Sequence, residues 1–134
     1  MNELEAALKT ILTEASTVTS LLASASSVFN ALIPAGYGYP AIVFNYQGGG
    51  DINDTPTDAA DIVYQIKGIS AVSMYQAGLI SAALHAVLHN NTLTVSGWTN
   101  FWCARDSIVR YIEIAPDGKN YYHSGGLYRI GISK

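Results

Sequence analysis

Two long stretches of this chain carry no charged side chain, and that shortage strongly constrains its fold. No Asp, Glu, Lys or Arg occurs from Ala15 to Gly50 or from Gly68 to Ala104, and charged residues make up 13% of the sequence, about half the ~25% usual in soluble domains. A membrane span needs ~20 consecutive apolar residues, whereas apolar runs such as Ala41 to Phe44 are short. The sequence therefore predicts no membrane span.

A surface poor in charge is typical of one that other protein covers. Interface cores are depleted in charged residues and enriched in aromatic ones, and this chain has nine Tyr and two Trp. We expect some of these rings to contact neighbouring subunits; the candidate interface residues are Tyr64, Trp98, Trp102, Tyr121 and Tyr122. The alternative is that the shortage of charge reflects compositional drift alone.

Size and charge exclude several classes of protein. The 134 residues, 49% of them hydrophobic, predict one domain spanning residues 1–134.

The first five residues lack the features of a secretion signal, and the single cysteine, Cys103, permits no internal disulfide. We therefore expect the protein to stay in the cytosol where it is made. A net charge of −3 with scattered Lys and Arg argues against sequence-specific nucleic-acid binding.

The spacing of apolar residues predicts two main helices. Leu4, Leu8 and Leu12 belong to an amphipathic pattern at the start of the chain. A second helix begins at a capping box formed by Ser73 and Gln76 and runs to about His89.

The rest of the pattern predicts strands. Extended segments are expected at 28–33, 41–46, 61–71, 92–95, 98–105 and 121–133, with 107–114 continuing the strand at 98–105 across a bend at 105–106, and with a turn at 115–118. The segment 16–27, rich in Ser, Thr and Ala, is expected to form a turn and a short helical piece. The order is α-β-β-β-α-β-β-β. We therefore predict an α+β fold, a mostly antiparallel sheet with the two main helices packed on one face.

His85 and His89 raise the possibility of a zinc site, because two histidines four apart on a helix share one face. Zinc hydrolases with this spacing have a glutamate after the first histidine, where this chain has Ala86. The helical wheel also places both rings opposite the apolar arc. The other histidine, His123, lies in a distant turn-rich segment. We expect no metal, no cofactor and no catalytic residues.

The segment from Gln47 to Ala60, QGGGDINDTPTDAA, is predicted to be a long flexible acidic loop. Counted from Asp51 as the first residue of an EF-hand loop, the required sixth-position glycine is Pro56 and the twelfth-position carboxylate is Ile62. Calcium binding is therefore not expected.

Four segments, in this order, resemble one family. They are YPAIVF at 39–44, DIVYQIKGIS at 61–70, ALHAVLHNNTLTV at 83–95 and PDGKNYYHSGGLYRIGI at 116–132. With the N-terminal helix and the Gly/Asp-rich loop, they are similar in order, length and character to the tail-completion, or tail-terminator, proteins of long-tailed bacteriophages. The similarity covers nearly the whole chain, and no single motif is diagnostic.

The resemblance implies a structural virion protein. Such a protein forms a ring, expected to be hexameric, that caps the tail tube, stops its polymerisation and joins the tail to the head connector. Its partners would be copies of itself, the tail-tube protein and the head-tail connector protein, and genome DNA would pass through the ring without being read. Its location would be the head-proximal end of the virion tail, and the host cytoplasm before assembly.

Within that ring, the acidic loop has a candidate role. Asp51, Asp54 and Asp58 would repel the phosphate backbone of DNA if they faced the channel. Another phage structural part, either a tail-tube subunit or a head-tail adaptor, remains an alternative. A small hydrolase is a further alternative, although the titratable residues are sparse and scattered.

Overall fold

A computed structural model describes residues 2–54 and 57–134. Its elements are α1 (Asn2–Glu14), α2 (Ser16–Thr19), β1 (Val28–Asn30), β2 (Ala41–Asp54), β3 (Thr57–Ser70), α3 (Met74–Leu88), β4 (Thr94–Val95), β5 (Trp98–Ile114) and β6 (Asn120–Ser133). Apart from the short helix α2, the order is the predicted one, and the α+β class is confirmed.

The strands of the described part form one sheet in the order β1-β2-β3-β6-β5-β4. All neighbours pair antiparallel except β1 and β2, which are parallel. The two central strands pair from Ala59 with Ser133 to Ser70 with Tyr122. The sheet therefore consists of two long hairpins, β2–β3 and β5–β6, joined along β3 and β6.

The core lies between one face of this sheet and the helices α1 and α3. Every second residue of the central strands points to the helices, as strand geometry requires, and Tyr64, Ile66, Tyr128 and Ile130 are fully buried there. The helices contribute the fully buried leucines and isoleucine Leu4, Leu8, Leu12, Ile80, Leu84 and Leu88. The Ser73 hydroxyl accepts a 3.1 Å hydrogen bond from the backbone N–H of Gln76, which caps α3 as predicted.

The opposite face of the sheet is partly covered by the segment between β1 and β2. The ring of Tyr37 packs edge-on against Phe29, and that of Tyr39 packs against Tyr121, each with ring centroids 4.9 Å apart. Val43 and Ile69 are buried on this face. The uncharged segment between β1 and β2 therefore packs on apolar side chains of its own monomer.

The predicted acidic loop is wrong, because residues 47–54 and 57–60 are paired strand. The β2–β3 ladder continues past a bulge between Tyr46 and Gly48 and ends at the pair Asp54 and Thr57. Gly49 has φ +98°, and a Cβ at this position would collide with the Asp61 carbonyl. Glycine here permits a bulge and close approach of two strands. Thr55 and Pro56 lie outside the described residues.

Two smaller details also differ from the sequence-based prediction. β1 ends at Asn30 rather than residue 33, because Ala31 adopts φ 72°, outside the strand region. The bend expected at 105–106 is a register shift between Arg105 and Ser107 within the single strand β5. Helix α2 agrees with the short helical piece expected in the segment between α1 and β1.

Substitutions on α3 test the assignment of its two faces. Leu84 is 0% exposed and Leu79 is 42% exposed. We expect Leu84→Ala to lower the free energy of unfolding by about 2–5 kcal/mol, because it leaves a cavity against the sheet. The same substitution at Leu79 is the matched control and should change it by about 0.5 kcal/mol or less. Urea unfolding followed by circular dichroism measures both, and equal losses would contradict the packing described here.

Candidate functional site

The two long hairpins reach opposite ends of the sheet. The β2–β3 connection lies beyond the pair of Ala59 with Ser133, whereas the β5–β6 connection lies beyond the pair of Ser70 with Tyr122. The hairpins also occupy opposite sides, because β2 and β5 are separated by β3 and β6. Each molecule therefore presents two different projecting surfaces.

The end of the β2–β3 hairpin, residues 47–54 and 57–60, is termed the acidic arm. It contains three aspartates and no Lys or Arg. Asp51 pairs with Ala60, and Asp58 pairs with Asn53, so the two aspartates lie on the same face of the arm as the buried Ala60. Both are exposed. The side chain of the third predicted acidic residue, Asp54, lies outside the described residues.

An open groove of about 310 Å³ lies between α3 and β5, far from the acidic arm. It is lined by Gly78, Ser81, Ala82, His85, Arg105, Ile108, Arg110 and Ser124, and it is termed the basic groove. A Cβ at Gly78 would lie 3.7 Å from the nearer guanidinium nitrogen of Arg110, so the absence of a side chain gives this guanidinium room beside the helix. Among the described residues, neither Arg105 nor Arg110 has a carboxylate within 4 Å.

His85 lines this groove, and His89 lies one helical turn further along α3. Their rings stack with centroids 4.4 Å apart, and the backbone N–H of Arg105 donates a 3.0 Å hydrogen bond to Nδ1 of His89. Burial lowers the pKa of His85, and the nearby Arg105 and His89 lower it further. The two rings point away from the core, as the wheel indicated, but they pack against β5 instead of facing open solvent.

The described residues do not form a metal site around the two histidines of α3. Within the part of the chain that the structure describes, no group of three His, Cys, Asp or Glu is placed to hold a metal ion. His123 lies on the other face of the sheet from the α3 histidines, because its strand neighbours are Ile69 and Tyr111.

Tyr64 requires a correction among the predicted interface residues. It is 0% exposed, and its hydroxyl donates a 3.0 Å hydrogen bond to Oε2 of Glu5 on α1. Burial, followed by the bond to Glu5, raises its pKa well above the ordinary value. Tyr64 is a core residue that ties α1 to the sheet, and a neighbouring subunit cannot reach it in this fold.

The other predicted interface residues keep some accessible surface. Trp102 is 43% exposed and lies beside the guanidinium of Arg129. Trp98 is half-buried under the Lys134 ammonium, 5.0 Å from its ring centroid. Tyr121 and Tyr122 are half-buried near the end of the β5–β6 hairpin. Their role as interface residues stays a prediction.

An apolar surface that was not predicted from the sequence lies on the outer half of β5. Ile108, Ile112 and Ile114 are exposed there, Ile114 by 75%. From residue 106 to 114, β5 pairs only with β6 among the described residues, so its outer edge is open. An exposed apolar strand edge is a ready site for pairing with another chain. The signal was present in SIVRYIEI, where alternate isoleucines share one face.

A polar cluster lies on the face of the sheet opposite the helices. The Lys67 ammonium donates a 2.6 Å hydrogen bond to the Tyr111 hydroxyl, and the Tyr111 ring stacks on His123 with centroids 4.4 Å apart. Nε2 of His123 lies 2.8 Å from Oε1 of Glu113. Burial lowers the pKa of His123, and the nearby charge of Lys67 lowers it further. The hydrogen bond to Glu113 raises the pKa and so opposes this shift. The cluster links β3, β5 and β6.

Comparison with known proteins identifies a structural relative. No protein-family profile and no curated protein matches the sequence. Among solved structures, the fold matches a chain described as "Virion of native gene transfer agent (GTA) particle" with a TM-score of 0.78. The match covers 98% of this chain and 95% of that chain at 15% sequence identity. At this identity, the likeness establishes a shared fold over nearly the whole of both chains.

None of the helices among the described residues combines the length and the apolar character needed to cross a membrane.

The environment of His123 predicts a pH dependence of stability. Its pKa in the folded protein lies below the ordinary 6.5. As the pH falls below 6.5, the unfolded chain therefore takes up a proton on His123 before the folded protein does, and the free energy of unfolding falls. Above pH 6.5, the His123 ring is neutral in both states, and its contribution to stability is fully present. We expect His123→Asn to flatten the fall in stability between about pH 7 and pH 5. Chemical unfolding at several pH values measures it, and parallel curves for the two proteins would contradict the assignment.

Proposed function

We propose that this chain is a structural protein of a phage-like virion. The observation that carries the proposal is the shared fold with a chain of a gene transfer agent virion, which extends over 98% of this chain and 95% of the other. The exposed isoleucines of β5 and the two unlike projecting surfaces support it, because an assembly protein needs surfaces that mate with other subunits.

Within the virion, we propose the role of tail terminator. The protein forms a ring, with six copies as the expected number, that caps the tail tube, stops its polymerisation and joins the tail to the head connector. The tail-tube protein and the connector protein are its neighbours, and the genome passes through without sequence-specific contact. Two different surfaces at opposite sides of the sheet favour a heterologous contact, the kind from which rings are built.

A catalytic role is not part of this proposal. Burial raises the pKa of the Cys103 thiol to about 12, so this cysteine is not a thiolate nucleophile at neutral pH. His85 and His123 serve packing contacts with their neighbouring rings.

A tail-tube subunit or a head-tail adaptor is the second candidate. The same two unlike surfaces favour it, because a heterologous contact gives an open tube when its rotation does not close. A closed ring would therefore indicate the terminator, and an open tube would indicate the tube subunit.

Sizing and a tube-growth assay test the terminator role. We expect light scattering and electron microscopy of the purified protein to show a discrete ring, and growing tubes of the cognate tail-tube protein to stop at a capped end when it is added. Bovine serum albumin at equal concentration is the control. Open-ended tubes of the protein itself would favour the tube subunit instead. A protein that stays monomeric and leaves tube length unchanged would refute the terminator role.

A further inference from the structure

We propose that the acidic arm of one copy docks into the basic groove of the next copy, with Asp51 and Asp58 facing Arg105 and Arg110. This inference rests on the proposed function, because it names the contact between neighbours in the ring. It also gives the aspartates a different position from the channel wall that the sequence suggested.

The basic groove has the chemistry of a carboxylate acceptor. Two guanidinium groups line it, and among the described residues neither has a carboxylate within 4 Å. Guanidinium groups bind carboxylates through two parallel hydrogen bonds. The helix side of the groove carries the small residues Gly78, Ser81 and Ala82, which leave space for an incoming chain. No acidic residue is among those that line it.

The acidic arm has the complementary chemistry. Asp51 and Asp58 are exposed on one face of the β2–β3 hairpin, whose last pairs, Asn53 with Asp58 and Asp54 with Thr57, extend beyond the end of β6. Neither carboxylate is within 4 Å of a Lys, Arg or His nitrogen of the described residues. In contrast, Asp61 at the base of the arm pairs with Arg129 at 3.1 Å. Asp51 and Asp58, which have no basic partner among the described residues, therefore lie farther along the arm than the paired Asp61.

The position of the two surfaces makes the contact intermolecular. The arm belongs to the β2–β3 side of the sheet and the groove to the β5 side, with the central strands between them. A contact between them joins unlike parts of two copies, and it leaves a free arm at one end and a free groove at the other. Repetition of such a contact closes into a ring when the rotation fits.

Charge reversal tests the contact directly. The acid-reversed variant carries Asp51→Lys and Asp58→Lys, and the base-reversed variant carries Arg105→Glu and Arg110→Glu. Each alone should lose the ring, because like charges then face each other at every contact. Mixed in equal amounts, they should form rings again, with the two variants alternating, because each arm then meets a groove of opposite charge. Light scattering gives the size, and native mass spectrometry gives the composition.

Matched controls separate this contact from a general effect of charge. Glu3→Lys with Glu14→Lys, and Lys9→Glu with Lys119→Glu, change the net charge equally at other exposed positions and should keep the ring. The aliphatic stem of Arg105 lies over Gly126, so its replacement also risks the fold. Arg110→Glu alone, mixed with Asp51→Lys alone, then provides the test at exposed positions.

The outcomes distinguish this inference from the proposed function. If the wild type forms rings and both reversed variants still do, the arm-to-groove contact is wrong and the ring stands. Folded variants that lose the ring but do not recover it on mixing also overturn the contact. So does a base-reversed variant that keeps the ring and loses only binding of inorganic phosphate, which would assign the groove to another anion. A wild type that never assembles, even with tail tubes, refutes the proposed function itself.

Discussion

The antiparallel pairing of β3 with β6 is the interaction on which the rest of the structure depends. These strands lie in the middle of the sheet and pair from Ala59 to Ser70. Their closest approach requires Gly125, where a Cβ would collide with the Ile66 carbonyl. On one side of this ladder, Tyr64, Ile66 and Tyr128 form the core with the helices. On the other, His123 and Lys67 are buried in a polar cluster.

The distribution of charge follows from this arrangement. Outside α1, every charged residue falls within 51–67 or 105–134. These two segments belong to the long hairpins β2–β3 and β5–β6. The uncharged stretches build α2, β1, α3 and the start of β5, together with the segment that covers the second face. Part of the shortage of charge is therefore explained inside the monomer. The exposed isoleucines of β5 and the two charged surfaces are available to partners.

The sequence predicted the elements better than the surfaces. Helical periodicity and the Ser73 cap located α1 and α3, because those signals depend on residues close together in the chain. The acidic arm was mistaken for a loop because Gly and Asp usually disfavour strands, whereas here the glycines serve a bulge and a close ladder. The basic groove could not be predicted, because Gly78 and Arg110 are brought together by packing of α3 on the sheet. Tyr64 looked like an interface residue because aromatic enrichment does not distinguish a core from an interface.

The glycines of β2 connect local backbone geometry to the proposed assembly. A bulge increases the local twist of a strand pair, and the bulge at Tyr46 and Gly48, followed by the positive φ of Gly49, lies at the base of the acidic arm. At this bulge β3 still pairs with β6, so the bulge twists the sheet at the place where the arm begins. In a heterologous ring, the rotation between neighbours determines how many copies close it. On the proposed contact, this local twist affects where Asp51 and Asp58 meet the next subunit, and so contributes to the number of subunits in the ring.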